Sequence, residues 1–264
     1  MKDSIHLITI DPQRDFCEKG MALYVEGADE DTKRLTKSVR KNLRRLDMIH
    51  VTMDSHQSLH IAHPIMWVDK RGRRPDIYRN ILHDEVVARE FTTTNPKWHD
   101  YAVYYTGELK KHGRYDLTIW PPHCIIGSPG HGFVPEFSQA LIEWETETFN
   151  KVDIVAKGSN ILTEHYSAVQ ADVPDDKDDT TKLNTALCDT LAKADLILIT
   201  GQALSHCVAN TITDVANYFG DDNIKKFVLL EDTSSNVPIA ADKGRAFVKA
   251  MVARGMRVCK STDW

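Results

Sequence analysis

Apolar residues fall along this chain in two rhythms, and the alternation between them sets the first expectation. Short runs rich in β-branched residues recur at Ile5–Ile10, Met48–Met53, Tyr115–Trp120, Val152–Ala156, Leu196–Ile199, Phe227–Leu230 and Met256–Cys259. Runs of this length that do not alternate strictly with polar residues read as strands buried on both faces. Between them apolar residues return at spacings of three and four: Leu35, Val39, Leu43 and Leu46, then Val208, Ile212, Val215 and Phe219. Similar spacing predicts helices over Val134–Trp144, Leu183–Leu191 and Ala240–Ala253. Strand and helix in alternation predict an α/β chain whose parallel sheet is covered on both faces.

One region breaks the rhythm. Residues 64–114 are charged and turn-rich, with a moderately helical stretch around Ile81–Phe91 and another over Tyr101–Lys111. The region is too short and too polar for a large core of its own, so it reads as an insertion between strands. The expectation is one domain over residues 1–264. Asp172–Thr180 is acidic and polar, and reads as an exposed loop.

Composition narrows the class. A length of 264 residues suits one large α/β domain, and a formal net charge of −5 leaves no basic footprint for nucleic acid. Five widely spaced cysteines (Cys17, Cys124, Cys188, Cys207 and Cys259) include no CxxC pair, which argues against a disulfide framework and a four-cysteine zinc site. No 18-residue apolar run occurs and the first residues hold no apolar leader, so a soluble, cytoplasmic protein that binds no membrane is expected.

Chemistry gathers where the predicted strands end. Asp11 follows the first strand, Asp54-Ser55-His56 the second, His123 the third, Lys157 the fourth, and Cys207 lies just beyond Leu196–Ile199. The carboxyl ends of parallel strands share one edge of the sheet, so these residues can converge although far apart in sequence. Cys207 opens a predicted helix, where the macrodipole favours a thiolate. Together Cys207, Asp11 and Lys157 supply a nucleophile, a proton carrier and a cation. The turn Gly201–Leu204 can aim backbone N–H groups at one point, as an oxyanion hole requires. Carboxylate and imidazole in Asp54-x-His56 suit Zn²⁺, Fe²⁺ or Mn²⁺.

Five motifs in this order, DPQRDF (Asp11–Phe16), DSH (Asp54–His56), WPPHC (Trp120–Cys124), AKG (Ala156–Gly158) and GQALSHCV (Gly201–Val208), resemble the nicotinamidase/isochorismatase-like cysteine hydrolases. The match is closest to their metal-containing nicotinamidase branch and runs from Ile5 to at least Asp232, apart from the 64–114 region. The resemblance implies a Rossmann-like three-layer αβα sandwich with a mostly parallel central sheet, the isochorismatase-like hydrolase fold. It implies a catalytic triad of Asp11, Lys157 and Cys207, with the N–H groups of Ala203 and Cys207 holding the oxyanion. It implies one divalent metal ion, zinc first with iron or manganese as alternatives, on Asp54, His56 and His123. Phe16 and Trp120 fall where nicotinamidases sandwich the substrate ring, and a non-proline cis peptide is implied at Gln202–Ala203. Family members commonly form dimers or higher assemblies, so a homo-oligomer is expected.

Three departures stand beside the match. The stretch between His56 and His123 is long, neither His60 nor His63 has the spacing of a fourth metal-loop histidine, and Gln202 stands where a small apolar residue is usual. The leading expectation is a cysteine-dependent amidohydrolase that converts nicotinamide and water to nicotinate and ammonia through a Cys207 thioester. The alternatives are a related amidase acting on another small amide or ureide, a metal-only hydrolase, and a binding protein that has lost catalysis.

Overall fold

The computed structural model describes residues 3–264. Ten strands are described: β1 Ile5–Ile10, β2 Met48–Asp54, β3 Trp67–Asp69, β4 Asn80–Ile81, β5 Phe91–Thr93, β6 Leu117–Thr118, β7 Asp153–Lys157, β8 Leu196–Gly201, β9 Phe227–Leu230 and β10 Arg257–Cys259. The α-helices are α1 Arg14–Cys17, α2 Ala28–Lys41, α3 His83–Val87, α4 His99–Lys111, α5 Pro135–Thr148, α6 Thr185–Ala192, α7 Ala209–Phe219 and α8 Ala241–Ala253.

Six strands form the central sheet in the order β10-β9-β8-β1-β2-β7, and all of its adjacent pairings are parallel. Every residue of the central strand β1 is buried, which is what a strand covered on both faces requires. Its period of two divides the core. Ile5 and Leu7 point to the face covered by Leu35 and Val39 of α2 and by Phe137, Leu141 and Trp144 of α5. Ile8 and Ile10 point to the other, where α6, α7 and α8 bring Leu187, Ile212, Val215, Phe247 and Met251. The layers are therefore helix, sheet, helix.

The strand order places the chemistry. From β1 the chain moves outward through β2 to β7, then returns to β8 on the other side of β1 and continues to β10. The order thus reverses between β1 and β8, and open α/β sheets form their ligand crevice beyond such a switch point. Ile10 pairs with Gly201 across it, and Asp54 pairs with Lys157 one step away, so the strands end level in two pairs, the second two residues further on.

Three expectations change. Tyr115–Trp120 is not a strand of the central sheet: only Leu117–Thr118 is extended, antiparallel to Asn80–Ile81. Leu117, Ile119 and Trp120 are buried, but the backbone partners lie outside the central sheet, with Ile119 N bonded to Arg79 O and Trp120 N to Ala62 O, both at 2.8 Å. A buried apolar run specifies burial without specifying what pairs with it. Within Ile81–Phe91 only α3 is helical, and Phe91 begins a strand against β3. In the Asp172–Thr180 loop Asp172 and Val173 are buried.

Trp67, Ile81, Val86, Ala102, Tyr105 and Leu109, all from the region between His63 and Arg114, join the apolar cluster on the α6–α8 side of the sheet. No helix among the described residues is long and apolar enough to cross a membrane.

Candidate active site

Asp11 leaves β1 with a φ of 46°, a left-handed conformation that Asp tolerates better than most residues. Its N–H donates to Thr52 Oγ1 at 3.0 Å, and the Thr52 hydroxyl donates to Asp11 Oδ1 at 2.5 Å. Thr52 thus fixes the carboxylate from the neighbouring strand. Lys157, the last residue of β7, is buried with its Nζ 3.1 Å from Asp11 Oδ2 and 3.0 Å from Asp54 Oδ1. It also donates to His165 O at 2.9 Å and lies 3.7 Å from Cys207 Sγ.

Cys207 sits in a π-helical turn, Leu204–Val208, that precedes α7. Gly201 must be glycine: its φ is 113°, and a Cβ there would lie 2.1 Å from Ile10 O. The Gln202–Ala203 peptide is cis. Gln202 is buried and its side chain joins two elements. Its Nε2 donates to Asp31 Oδ2 on α2 at 2.9 Å, and its Oε1 accepts from Ser235 N at 3.1 Å. A small apolar residue would leave Asp31 and the Ser235 turn without these bonds.

Burial decides the resting protonation. It pushes the Cys207 thiol well above its ordinary value, an effect that Lys157 only partly offsets, and the short helical turn does not reverse it. The thiolate expected from a helix N-terminus is therefore not the resting form. Burial also raises Asp11, against the pull of Lys157, and the Asp11 carboxyl and the Cys207 thiol act on each other. Burial draws Lys157 down, but the Asp11 and Asp54 carboxylates outweigh it and hold the ammonium well above its usual range. The arrangement gathers a thiol, a carboxyl group and an ammonium within one contact sphere.

Asp54, His56 and His123 form a second cluster whose ligand atoms all lie within 4.8 Å of one another. His56 Nδ1 donates to Gly158 O at 3.0 Å and His123 Nδ1 to Pro121 O at 2.8 Å, which leaves both Nε2 atoms as acceptors. Those acceptors face Asp54 Oδ2 at 3.0 Å and 3.5 Å. Two lone pairs and a carboxylate oxygen turned toward one another, with no donor between them, fit a divalent cation. Gly158 keeps the cluster tight: it has a φ of 84°, and a Cβ there would lie 2.6 Å from Asp54 Oδ1.

The two neighbouring histidines separate cleanly. His60 uses both nitrogens, accepting from Ala62 N at 3.2 Å and donating to Thr163 O at 3.1 Å. His63 donates through Nδ1 to Ser58 O at 3.1 Å, and its buried Nε2 has no partner. Its ring stands 5.5 Å from that of His56 and 5.9 Å from that of His123. Of the two, only His63 has a nitrogen to offer.

The strand rule accounts for four of the five anchor points, since β1, β2, β7 and β8 lead to Asp11, Asp54, Lys157 and Cys207. His123 comes instead from irregular chain. That chain is held by Asp15 Oδ2, which accepts from Cys124 N at 2.6 Å, while Cys124 O accepts from His56 N at 3.0 Å. Gln13 clamps Asp54 on both sides of its backbone: its Oε1 accepts from Asp54 N and its Nε2 donates to Asp54 O, each at 2.7 Å.

A cavity of about 380 Å³, measured out to its mouth, opens onto Cys207 and Ala203. Phe16 and Trp120 both line it, with Asp54 and His123 at one side. Tyr166, His206 and Glu164 line it too, and the motif reading missed them. Tyr166 accepts the Trp120 indole N–H at 2.8 Å, and His206 lies 5.1 Å from the Trp120 ring, edge-on. The only advance signal was that Tyr166 sits within the TEHYSAV stretch and His206 beside the cysteine.

Comparison with solved structures brings these observations together. The yeast nicotinamidase aligns over 96% of this chain and 98% of its own, with a TM-score of 0.67 at 19% identity. An Acinetobacter baumanii nicotinamidase/pyrazinamidase aligns over 99% and 98%, with a TM-score of 0.62 at 20% identity. The chain has the nicotinamidase fold. A Pyrococcus horikoshii pyrazinamidase, solved in complex with zinc, shares it with a TM-score of 0.57 at 19% identity over 97% of this chain and 99% of that one. No family model and no curated protein matches the sequence. These alignments span nearly the whole chain.

Proposed function

We propose that this protein is a cysteine-dependent amidohydrolase, with nicotinamide as its first-choice substrate. The observation that carries the reading is Cys207 Sγ in contact with Lys157 and Asp11 at the wall of a cavity lined by Phe16 and Trp120. The fold shared with nicotinamidases supports it.

In this mechanism Asp11 takes the Cys207 proton as sulfur attacks the amide carbon, and Lys157 steadies the negative charge passing between them. The oxyanion falls to the N–H groups of Ala203 and Cys207. Collapse breaks the C–N bond, Asp11 returns its proton to the leaving nitrogen, and ammonia departs from a thioester. Asp11 then takes a proton from water as water attacks the thioester. The C–S bond breaks, the acid leaves, and Cys207 recovers its proton. Asp54, His56 and His123 would hold a divalent ion, zinc first, whose Lewis acidity suits the pyridine nitrogen of the substrate.

The test is ammonia release from nicotinamide by metal-replete protein beside Cys207→Ala. Release by the parent and a loss of at least ~10³-fold in the variant are expected, as for nucleophiles that act with their partners as a unit. Full activity in the variant would remove the thioester. No release from either would move the substrate to the wider class of small amides. The insertion bears on that choice, because its Tyr78 sets a ring edge-on to Trp120 at 5.8 Å.

A further inference from the structure

A second cleft, of about 1680 Å³ measured out to its mouth, lies between the end of α4, the loop carrying Asp172, and helices α7 and α8. Neither the triad nor the metal cluster lines it. Its charges are unevenly satisfied. Arg114 grips Asp214 with both terminal nitrogens, at 3.3 Å and 3.2 Å, and Arg254 Nε holds Asp221 at 2.9 Å. Lys243 has no carboxylate partner among the described residues. Its ammonium lies 3.6 Å from the centre of the Tyr115 ring and is half-buried. Asp172 is buried on the cleft wall, with its Oδ1 3.8 Å from Arg114 Nε. Burial raises its carboxyl to about 8, against the pull of Arg114. With Arg114 paired to Asp214 and Asp172 and Arg254 paired to Asp221, the cleft presents one cation that makes no ion pair, Lys243, on which only the Asp116 carboxylate acts from a distance.

We propose that this cleft is a second ligand site, which takes a small organic anion with its charged group on Lys243 and its apolar body along Phe247 and Met251. The cleft and the candidate active site share a wall. Tyr115, beneath Lys243, stands 5.5 Å from the His206 ring at 87° and 6.0 Å from Tyr166, both of which line the cavity at Cys207. Its hydroxyl donates to Ser205 O at 3.1 Å, and the Ser205 hydroxyl is hydrogen-bonded to His206 Nδ1 at 3.0 Å. An anion seated on Lys243 therefore bears on the back of the residues that shape the cavity. The proposal stands independently of which amide is cleaved.

The test is calorimetric titration of the full chain with two anions, AMP as a phosphate monoester and benzoate as a carboxylate. At least one is expected to bind saturably, to bind Cys207→Ala equally well, and to weaken at least about tenfold in Lys243→Met. Lys243→Arg, which keeps the charge, should retain binding and guards against a folding artefact. Whether AMP or benzoate is held identifies the anionic group the site takes. No saturable binding of either below about 10 mM, or affinity unchanged in Lys243→Met, overturns the proposal.

Discussion

Lys157 and Lys243 are the same side chain in opposite settings on the two sides of one aromatic wall. Lys157 is fully enclosed, and its ammonium is met by Asp11, Asp54 and a backbone carbonyl. Lys243 is half-buried and is met by a ring face alone. Enclosure of a charge is tolerated where opposite charges and hydrogen bonds replace water; otherwise the charge is kept near the surface. The first arrangement is finished within the chain, and serves chemistry on a thiol. The second is unfinished, and an unfinished charge in a cleft is an invitation to a ligand.

The comparison breaks most visibly at Lys157. Lys157→Met would strand the Asp11 and Asp54 carboxylates in the interior without their cation. A loss of roughly 3–5 kcal/mol of stability is expected, as when one partner of a buried pair is removed. Urea unfolding at neutral pH measures it. A change within the noise of the measurement would mean that the two carboxylates are neutralised some other way, a bound divalent ion among them, and repeating the melt with a chelator separates the two cases.

Asp172 gives a smaller effect that depends on pH. Its carboxyl is raised from the ordinary Asp range to about 8 by burial, with Arg114 pulling the other way. The folded protein then holds a proton that the unfolded chain releases near pH 4, so the contribution of this group is fully present below that pH and is lost as pH rises towards 8. Each unit of the rise is worth about 1.4 kcal/mol. Parent minus Asp172→Asn stability, measured from pH 4 to pH 9, should therefore fall steadily and level off near the top. A flat difference would show that Arg114 holds Asp172 ionised.

How far the sequence foretold these regions follows the same line. Strands β1, β2, β8 and β9 were legible because apolar-rich runs that do not alternate demand two covered faces, and the ends of β1, β2, β7 and β8 brought Asp11, Asp54, Lys157 and Cys207 to one edge without any knowledge of contacts. His123 was found for a partly wrong reason: within Tyr115–Trp120 only Leu117–Trp120 is buried, and its backbone bonds to Arg79, Asn80, Ile81 and Ala62 and not to the central sheet. The fourth histidine was illegible because the choice rests on a hydrogen bond, Ala62 N to His60 Nδ1, that no spacing rule expresses. Asp172 was misread as exposed because an acidic stretch shows its average polarity and hides the one residue that turns inward. The rear cleft was invisible for a similar reason, since α4, α7 and α8 each look like ordinary covering helices until their ends are placed together.

The smallest expected effect sharpens the comparison from the other side. Lys243→Met removes a cation that holds no ion pair and keeps most of the packing of its stem over Tyr115, so its cost to stability should stay below about 1 kcal/mol. Burial also lowers its ammonium pKa, which means that the charge is held at some expense in the ligand-free protein. A urea melt that moves little, or upward, is the expected result. Set beside the collapse expected for Lys157→Met, it would show that position 243 is not chosen for folding. If Lys243→Met instead cost as much as Lys157→Met, the ammonium would be a structural part of the α8–Tyr115 contact, and the cleft would lose its claim to a charge held in reserve.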